Sequence, residues 1–353
     1  MTKILLLGEA FGAKENLFNH GFVGNSGAEL GRMLIAAGTV PNILTNYPGE
    51  LDMIKFWQTL REEYDIEIAN VFNAQPEGNK IEKFFTSAKE GNSKLPPLAP
   101  GKYVRWDMMH HIEALHAKLE ALEPTLVIAL GNAACWATLG ETKITNIRGT
   151  VKISPRFGFK VLPTFHPAYV LRQWNTRTIV LSDLQKANKE ALTKNINRIK
   201  RWVTVQPSLS DIMEWILRPA EFYAVDIETS LKQISMIGFA RSSADAIVIP
   251  FIDDMNPGYN YWPTVNEEIH AWKLVDKLLK KPVPKIFQNG IFDLTYILMS
   301  NLRPVMCNHD TMLLHHSLYP EMLKGLGFLG SIYSEEIAWK GMRTKGNNLK
   351  RDE

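Results

Sequence analysis

Asp226 and Glu228 stand one residue apart at the end of an apolar run, FYAVDIETS, residues 222–230. An extended strand turns alternate side chains to opposite faces, so the two carboxylates share one face. Bare carboxylates that close repel each other, and a divalent metal ion between them is the usual remedy. A solvated pair on a surface strand is the plain alternative for this stretch alone. PKIFQNGIFDLTYIL supplies a third carboxylate, because Asn289 and Asp293 are four residues apart and share a face if a helix starts near Asn289. Two acids on a strand end and one on a helix form a donor set for two-metal phosphodiester hydrolysis. There one ion turns a water into a nucleophile and the other stabilises the leaving 3′ oxygen.

A second polar group is spread over the first two hundred residues. KILLLGEA runs into a glycine-rich turn that carries Glu9, and Glu15 and Phe22 follow in GAKENLFNHGFVGNSG. Asn70 lies in IEIANVF and His166 closes FKVLPTFHP. A Gly-Glu-x-x-Gly turn lets backbone approach a ligand closely, and Phe22 offers a flat face for stacking. A lone histidine at a strand end is by itself more often structural than functional.

The elements that must position these residues alternate between strand and helix. KILLLGEA, IEIANVF, TLVIALG and FKVLPTFHP have strand character, with GAELGRMLIAAG and YVRWDMMHHIEALHAKLEALEP as helices between them. Such alternation predicts a parallel sheet covered on both faces, with ligands at the carboxyl ends of its strands. A basic helix around residues 182–202 then carries the chain across a boundary near residue 200. Beyond it come WVTVQPS, a helix from Ser210 to about Leu217, and FYAVDIETS, QISMIGFARS and AIVIPF as three antiparallel strands. The helix TVNEEIHAWKLVDKLLKK leads into the strand PKIFQNG.

At 353 residues, 45% of them apolar, the chain is long enough for two domains with real cores. It has no run of about 18 apolar residues to span a bilayer. MTKILLLGEAFG has the character of a buried first strand rather than a signal peptide. Two cysteines, Cys135 and Cys307, cannot build a disulfide framework or a four-cysteine metal site, and a reducing intracellular compartment is expected. The net charge is only +3, but residues 141–202 hold thirteen Lys and Arg against three Asp and Glu. Arg148, Lys152, Arg172, Lys194, Arg198, Lys200 and Arg201 are the candidates to track a phosphate backbone, with a solvated helix face as the competing explanation for the second half.

VDIET, FQNGIFDLTYIL and HDTMLLHHSLYP resemble the first two exonuclease motifs, and the segment after them, of the 3′–5′ proofreading domain of family A DNA polymerases. The resemblance covers residues 203–353 and implies an RNase H-like mixed-sheet fold, with two Mg²⁺ or Mn²⁺ ions held by Asp226, Glu228 and Asp293. It gives Asn289 a part in positioning the substrate strand and Asp310 a structural part. The family's third motif, Tyr-x-x-x-Asp, is absent: Tyr333 is followed by SEEI. The expectation is a chain cut short, or a separate polymerase chain that supplies the motif.

GEAFG, GFVGNSG, IANVFNAQPEGNK and LPTFHPAYVLR resemble the iron–sulfur (family 4) uracil-DNA glycosylases over about residues 1–196. That resemblance implies an α/β/α sandwich in which Glu9 and Glu15 lie near the sugar and the attacking water. Phe22 would stack on a flipped uracil, Asn70 would read its Watson–Crick edge, and His166 would stabilise the charge developing on the base. The family's cluster cysteines are missing, Ala74 standing in one of their places, so no iron–sulfur cluster is expected. Some phage family A polymerases carry a glycosylase-like domain ahead of the exonuclease. The chain is accordingly expected to be a proofreading component of such a polymerase, acting on single-stranded or frayed 3′ DNA ends in the cytoplasm of an infected bacterium. A stand-alone uracil-excision repair enzyme and a non-catalytic scaffold that binds DNA and polymerase are the alternatives.

Overall fold

The computed structural model describes residues 3–43, 50–196, 198–253, 255–256 and 258–334. Segment 335–353, expected to close the exonuclease domain, lies outside the described residues. Two compact units divide the described residues: those between 3 and 196 with a contribution from 327–334, and those between 198 and 326. Among the described residues no helix is long and apolar enough to cross a membrane.

In the first unit the strands are β1 (Ile4–Ala10), β2 (Ile66–Phe72), the short β3 (Phe85–Thr86) and β4 (Tyr103–Val104), β5 (Leu126–Leu130), β6 (Lys152–Ile153) and β7 (Lys160–Thr164). The main sheet has the order β2-β1-β5-β7-β6, parallel except for the antiparallel edge strand β6. All five residues of β5 and of β7 are buried, as strands covered on both faces must be. Register aligns the carboxyl ends: Gly8 pairs with Asn70, Leu7 with Ala129, and Leu130 with Thr164. Four neighbouring strands therefore deliver their ends to one line.

Two helix expectations fail at their ends. The helix expected from Tyr103 starts at Met109, because Val104 is buried in pairing with Phe85 and a 3₁₀ turn, Trp106–Met108, intervenes. The basic helix expected to reach residue 202 runs from Arg177 only to Glu190. Its last turn is held by the fully buried Lys160, whose ammonium donates to the Glu190 carboxylate at 2.9 Å and to the Asn195 carbonyl at 3.3 Å.

In the second unit the strands are β8 (Trp202–Val205), β9 (Tyr223–Ser230), β10 (Gln233–Ser242), β11 (Asp245–Pro250), β12 (Lys285–Phe287) and β13 (His309–Asp310). They form one mixed sheet in the order β13-β12-β9-β10-β11-β8. The expected antiparallel trio β9-β10-β11 is present, flanked by parallel pairings of β12 on β9 and of β8 on β11. Helices Leu209–Leu217 and Val265–Lys280 open with capping boxes at Ser208 and Thr264, which satisfy their first free N–H groups. Their apolar faces join a core with Tyr223, Ile237, Phe239, Val275 and Leu278.

Candidate functional site

The strand ends of the first unit gather Glu9, Phe22, Asn70 and His166 around two glycines. A Cβ at Gly8 would overlap Oδ1 of Asn70 and fall 2.6 Å from the Phe22 ring, so both side chains press on bare backbone. A Cβ at Gly131 (φ +87°) would fall 3.2 Å from Cβ of His166 and 3.8 Å from Oε2 of Glu9. Only glycine allows that conformation and that approach without strain. Phe22 itself has φ +60°, an unfavourable region for an aromatic residue, and is held there from outside. Its carbonyl accepts from the Trp57 indole at 2.9 Å, and helix Asn25–Ala36 packs Gly27 directly on its backbone. The local sequence pattern marks neither Trp57 nor Gly27 for this task.

His166 caps helix Pro167–Arg172, its Nδ1 accepting from the Ala168 N–H at 3.2 Å. The proton of the neutral ring is thus on Nε2, which is left as a donor. Burial, and then the positive charge of Arg172, pull its pKa down to about 4. An NMR titration should find this ring neutral, with Nε2–H, down to about pH 4; titration near the ordinary histidine value would contradict the placement. Glu9 moves the other way: burial first, and then the charge of Glu82, raise its pKa, with Arg172 opposing. Glu15 has a structural contact in the loop that carries Phe22. Its Oε1 accepts from the Gly24 N–H at 2.9 Å and closes the loop ahead of helix Asn25–Ala36, a structural task.

The basic candidates separate by burial. Arg172 is exposed and close enough to act on both His166 and Glu9. Lys194, Arg198, Lys200 and Arg201 are exposed, and Lys152 is half-buried in an ion pair with Glu141 at 2.7 Å. Arg148 is a correction. It is 4% exposed, with its guanidinium forked onto the fully buried Asp183 and donating to Ser331 at 2.8 Å, so it offers nothing to DNA. The iron–sulfur cluster of the resembled family does not fit this chain either. Cys135 is fully buried, burial and then Glu141 pushing its thiol up to about 12, and Cys307 is the only other cysteine, so four thiolate ligands cannot be assembled from this chain.

In the second unit β9 alternates as its sequence requires: Tyr223, Val225 and Ile227 are buried in the core, and Asp226 and Glu228 stand on the other face, where the Asp226 carboxyl is only partly open to solvent. Gly238 on β10 sits opposite Asp226 and leaves room beside it. Asp293, 4% exposed in the first turn of helix Ile291–Met299, accepts from the Ile227 N–H at 3.0 Å and so is locked onto the strand between the two acids. Burial, then Asp293 and Glu228, raise Asp226 to about 6, and burial also raises Asp293. Burial works against the Asp310 carboxylate, but the N–H groups of Gly290, Asn289, Leu313 and Met312 overcome it and hold its pKa low. Asp310 is a brace for the turn before helix Ile291–Met299. Asn289 departs from expectation: it has φ +58° and precedes that helix, so it shares no helix face with Asp293.

The donor chemistry of Asp226, Glu228 and Asp293 suits a divalent cation, since their mutual repulsion is what a cation relieves. Among the described residues no group of three or more His, Cys, Asp or Glu side chains converges to hold a metal ion.

Residues 1–197 match the family described as the uracil DNA glycosylase superfamily. Over 190 residues the chain is 29% identical to the type-4 uracil-DNA glycosylase of Thermotoga maritima, covering 53% of this chain and 76% of that protein. The Nibbler exonuclease domain of Aedes aegypti aligns with 45% of this chain and 81% of its own, at 13% identity and a TM-score of 0.31. The EXD2 exonuclease domain, soaked in Mn and GMP, aligns with 37% of this chain and 68% of its own, at 17% identity and a TM-score of 0.22. Likeness that slight carries no weight for the second unit, whose chemistry rests on its own residues.

Proposed function

Since the chain belongs, through residues 1–197, to the uracil DNA glycosylase superfamily, we propose that its first unit takes an extrahelical uracil into the strand-end pocket and cleaves its glycosidic bond. The observation that supports this most is the closure of Asn70 and Phe22 on Gly8 while Glu9 and His166 flank Gly131. In this reading the Phe22 ring stacks on the base and the Asn70 amide pairs with its Watson–Crick edge, which is accessible only once the base has left the stack. The C1′–N1 bond breaks with its electron pair leaving on the base. The neutral His166 Nε2–H donates to the uracil oxygen where that charge collects, a pre-placed donor that needs no reorganisation. Glu9 orients a water towards C1′ and takes its proton, a task that its raised pKa suits. Arg172 holds a neighbouring phosphate.

Binding of a 5′-labelled single-stranded oligonucleotide with one central uracil, against the same strand with thymine, tests the recognition step. Uracil preference is expected in the wild type and its loss in Phe22→Ala; equal binding of both strands by the wild type would sink the reading.

The crowding of Asp226, Glu228 and Asp293 supports a second activity for residues 198–326, removal of 3′ nucleotides from single-stranded or frayed ends. Divalent Mg²⁺ or Mn²⁺ would supply the activated water and stabilise the leaving oxygen. Asp226, Glu228 and Asp293 are the residues that would hold it. Together the two activities suit the proofreading part of a phage family A DNA polymerase. A repair enzyme that excises uracil by itself needs only the first.

A further inference from the structure

Between β2 and helix Met109–Leu122 the chain builds a separate lobe from β3, β4 and 3₁₀ turns at Glu77–Asn79, Ile81–Phe84 and Trp106–Met108. This lobe holds a cleft of about 780 Å³. The cleft has Lys80, Lys83, Lys102 and Arg105 on its walls and Trp106 at its edge. None of these residues belongs to the pocket described above or to the basic stretch 141–202.

We propose that this cleft is a single-stranded DNA groove, in which Lys80 and Lys102 hold backbone phosphates and Trp106 stacks on a base flanking the extracted uracil. The inference rests on the glycosylase reading for its choice of strand, and on three observations for its place and chemistry.

The first is availability of charge. Arg105 is taken up by Asp107 at 2.5 Å, while Glu82 and Glu90, the other acids of the wall, form no ion pair with a lysine of the cleft among the described residues. The Lys83 pair with Glu77 is long, 3.3 Å, and exposed on both sides, which makes it weak. Lys80 and Lys102 have no ion pair among the described residues and project from exposed positions. The second is Trp106, which is 58% exposed. A large flat apolar ring left beside cationic side chains is the combination that stacks bases while tracking a backbone. The third is location. The lobe begins at the pocket: the Phe11 N–H, two residues after Glu9, donates to the Ala74 carbonyl at 3.2 Å. Phe72 at the end of β2 meets the rings of Phe84 and Phe85 within the lobe. Glu82, on the cleft wall, is close enough to raise the pKa of Glu9. The cleft is thus the groove that a strand leaving the base pocket on this side would meet.

The test is fluorescence anisotropy of the full chain with labelled 15-residue single strands carrying either one central uracil or thymine, at several salt concentrations. Trp106→Ala is expected to weaken binding of both strands about tenfold, the size of one lost stacking contact, and Trp106→Phe to restore most of it. Lys80→Ala/Lys102→Ala should lower the slope of log affinity against log salt by about 1.4, two contacts at about 0.7 each. Melting curves will show the variants folded, since all three side chains are exposed. Wild-type affinity and slope in both variants would overturn the groove. A wild type without uracil preference, together with weakened Trp106→Ala, would instead overturn the base pocket and leave the groove standing.

Discussion

Arg148→Ala is expected to cost the first unit about 3–5 kcal/mol of stability, the cost of leaving a buried charge without its partner. Asp183 is 0% exposed, and its carboxylate has three donors: two from the Arg148 guanidinium and one from the Thr164 hydroxyl at 2.6 Å. Thr164 alone cannot compensate a full negative charge in that setting. Arg148→Lys should recover only part of the loss, because one ammonium cannot reproduce a planar fork onto Asp183 together with the bond to Ser331. Denaturant unfolding should show the midpoint falling with little change in slope. A variant within about 0.5 kcal/mol of wild type, the range of ordinary surface changes, would mean that Arg148 is not buried as described.

Asp226→Asn is expected to raise stability and, on the proposed nuclease reading, to end 3′ trimming at once. Asp226 ionises at about 6 in the folded unit against 3.8 ordinarily, so between roughly these values the folded protein holds a proton that the unfolded chain has released. Its contribution is therefore full at low pH, is lost as the pH rises through that window, and stays lost above it. Removing the charge should make the second unit melt higher than wild type at pH 7.5 and about equally at pH 3.5, in the absence of divalent ions. Added Mn²⁺ should raise the melting temperature of the wild type at pH 7.5 but not that of the variant. Trimming of a 5′-labelled single strand should fall about a thousandfold, the rate equivalent of several kcal/mol of lost charge stabilisation. A variant no more stable than wild type at pH 7.5 would contradict the crowding of the three acids.

Much of this was legible in the residue pattern because alternation and strand ends are local properties. The apolar residues of VDIETS on one face and its acids on the other follow from the pleat alone. Strand ends at Glu9, Asn70 and His166 follow from apolar runs that stop at polar residues, and the sheet then brings them together. What escaped depends on partners distant in sequence. The excess of cations in residues 141–202 suggested an exposed basic face, yet Arg148, Lys160 and Lys186 are buried and satisfied by Asp183, Glu190 and backbone carbonyls. A charge count does not distinguish a solvated lysine from one that caps carbonyls in a core. The spacing of Asn289 to Asp293 fits a helical turn, whereas Asp310, twenty-one residues away, holds the Asn289 backbone ahead of the helix. Tyr103 and Val104 suited the helical stretch that follows them, until pairing with Phe85 and Thr86 drew them into a strand. The Trp57 bond that holds Phe22 in its unfavourable conformation spans 35 residues and leaves no local trace.

The most direct measurement of the central claim uses a 5′-labelled single strand with one internal uracil, incubated with the full chain without divalent ions and then treated with alkali. The pocket at Glu9, Phe22, Asn70 and His166 predicts a single alkali-dependent break at the uracil, absent with His166→Ala and with a thymine strand. An intact uracil strand after alkali, from a wild-type protein that is folded, would contradict it.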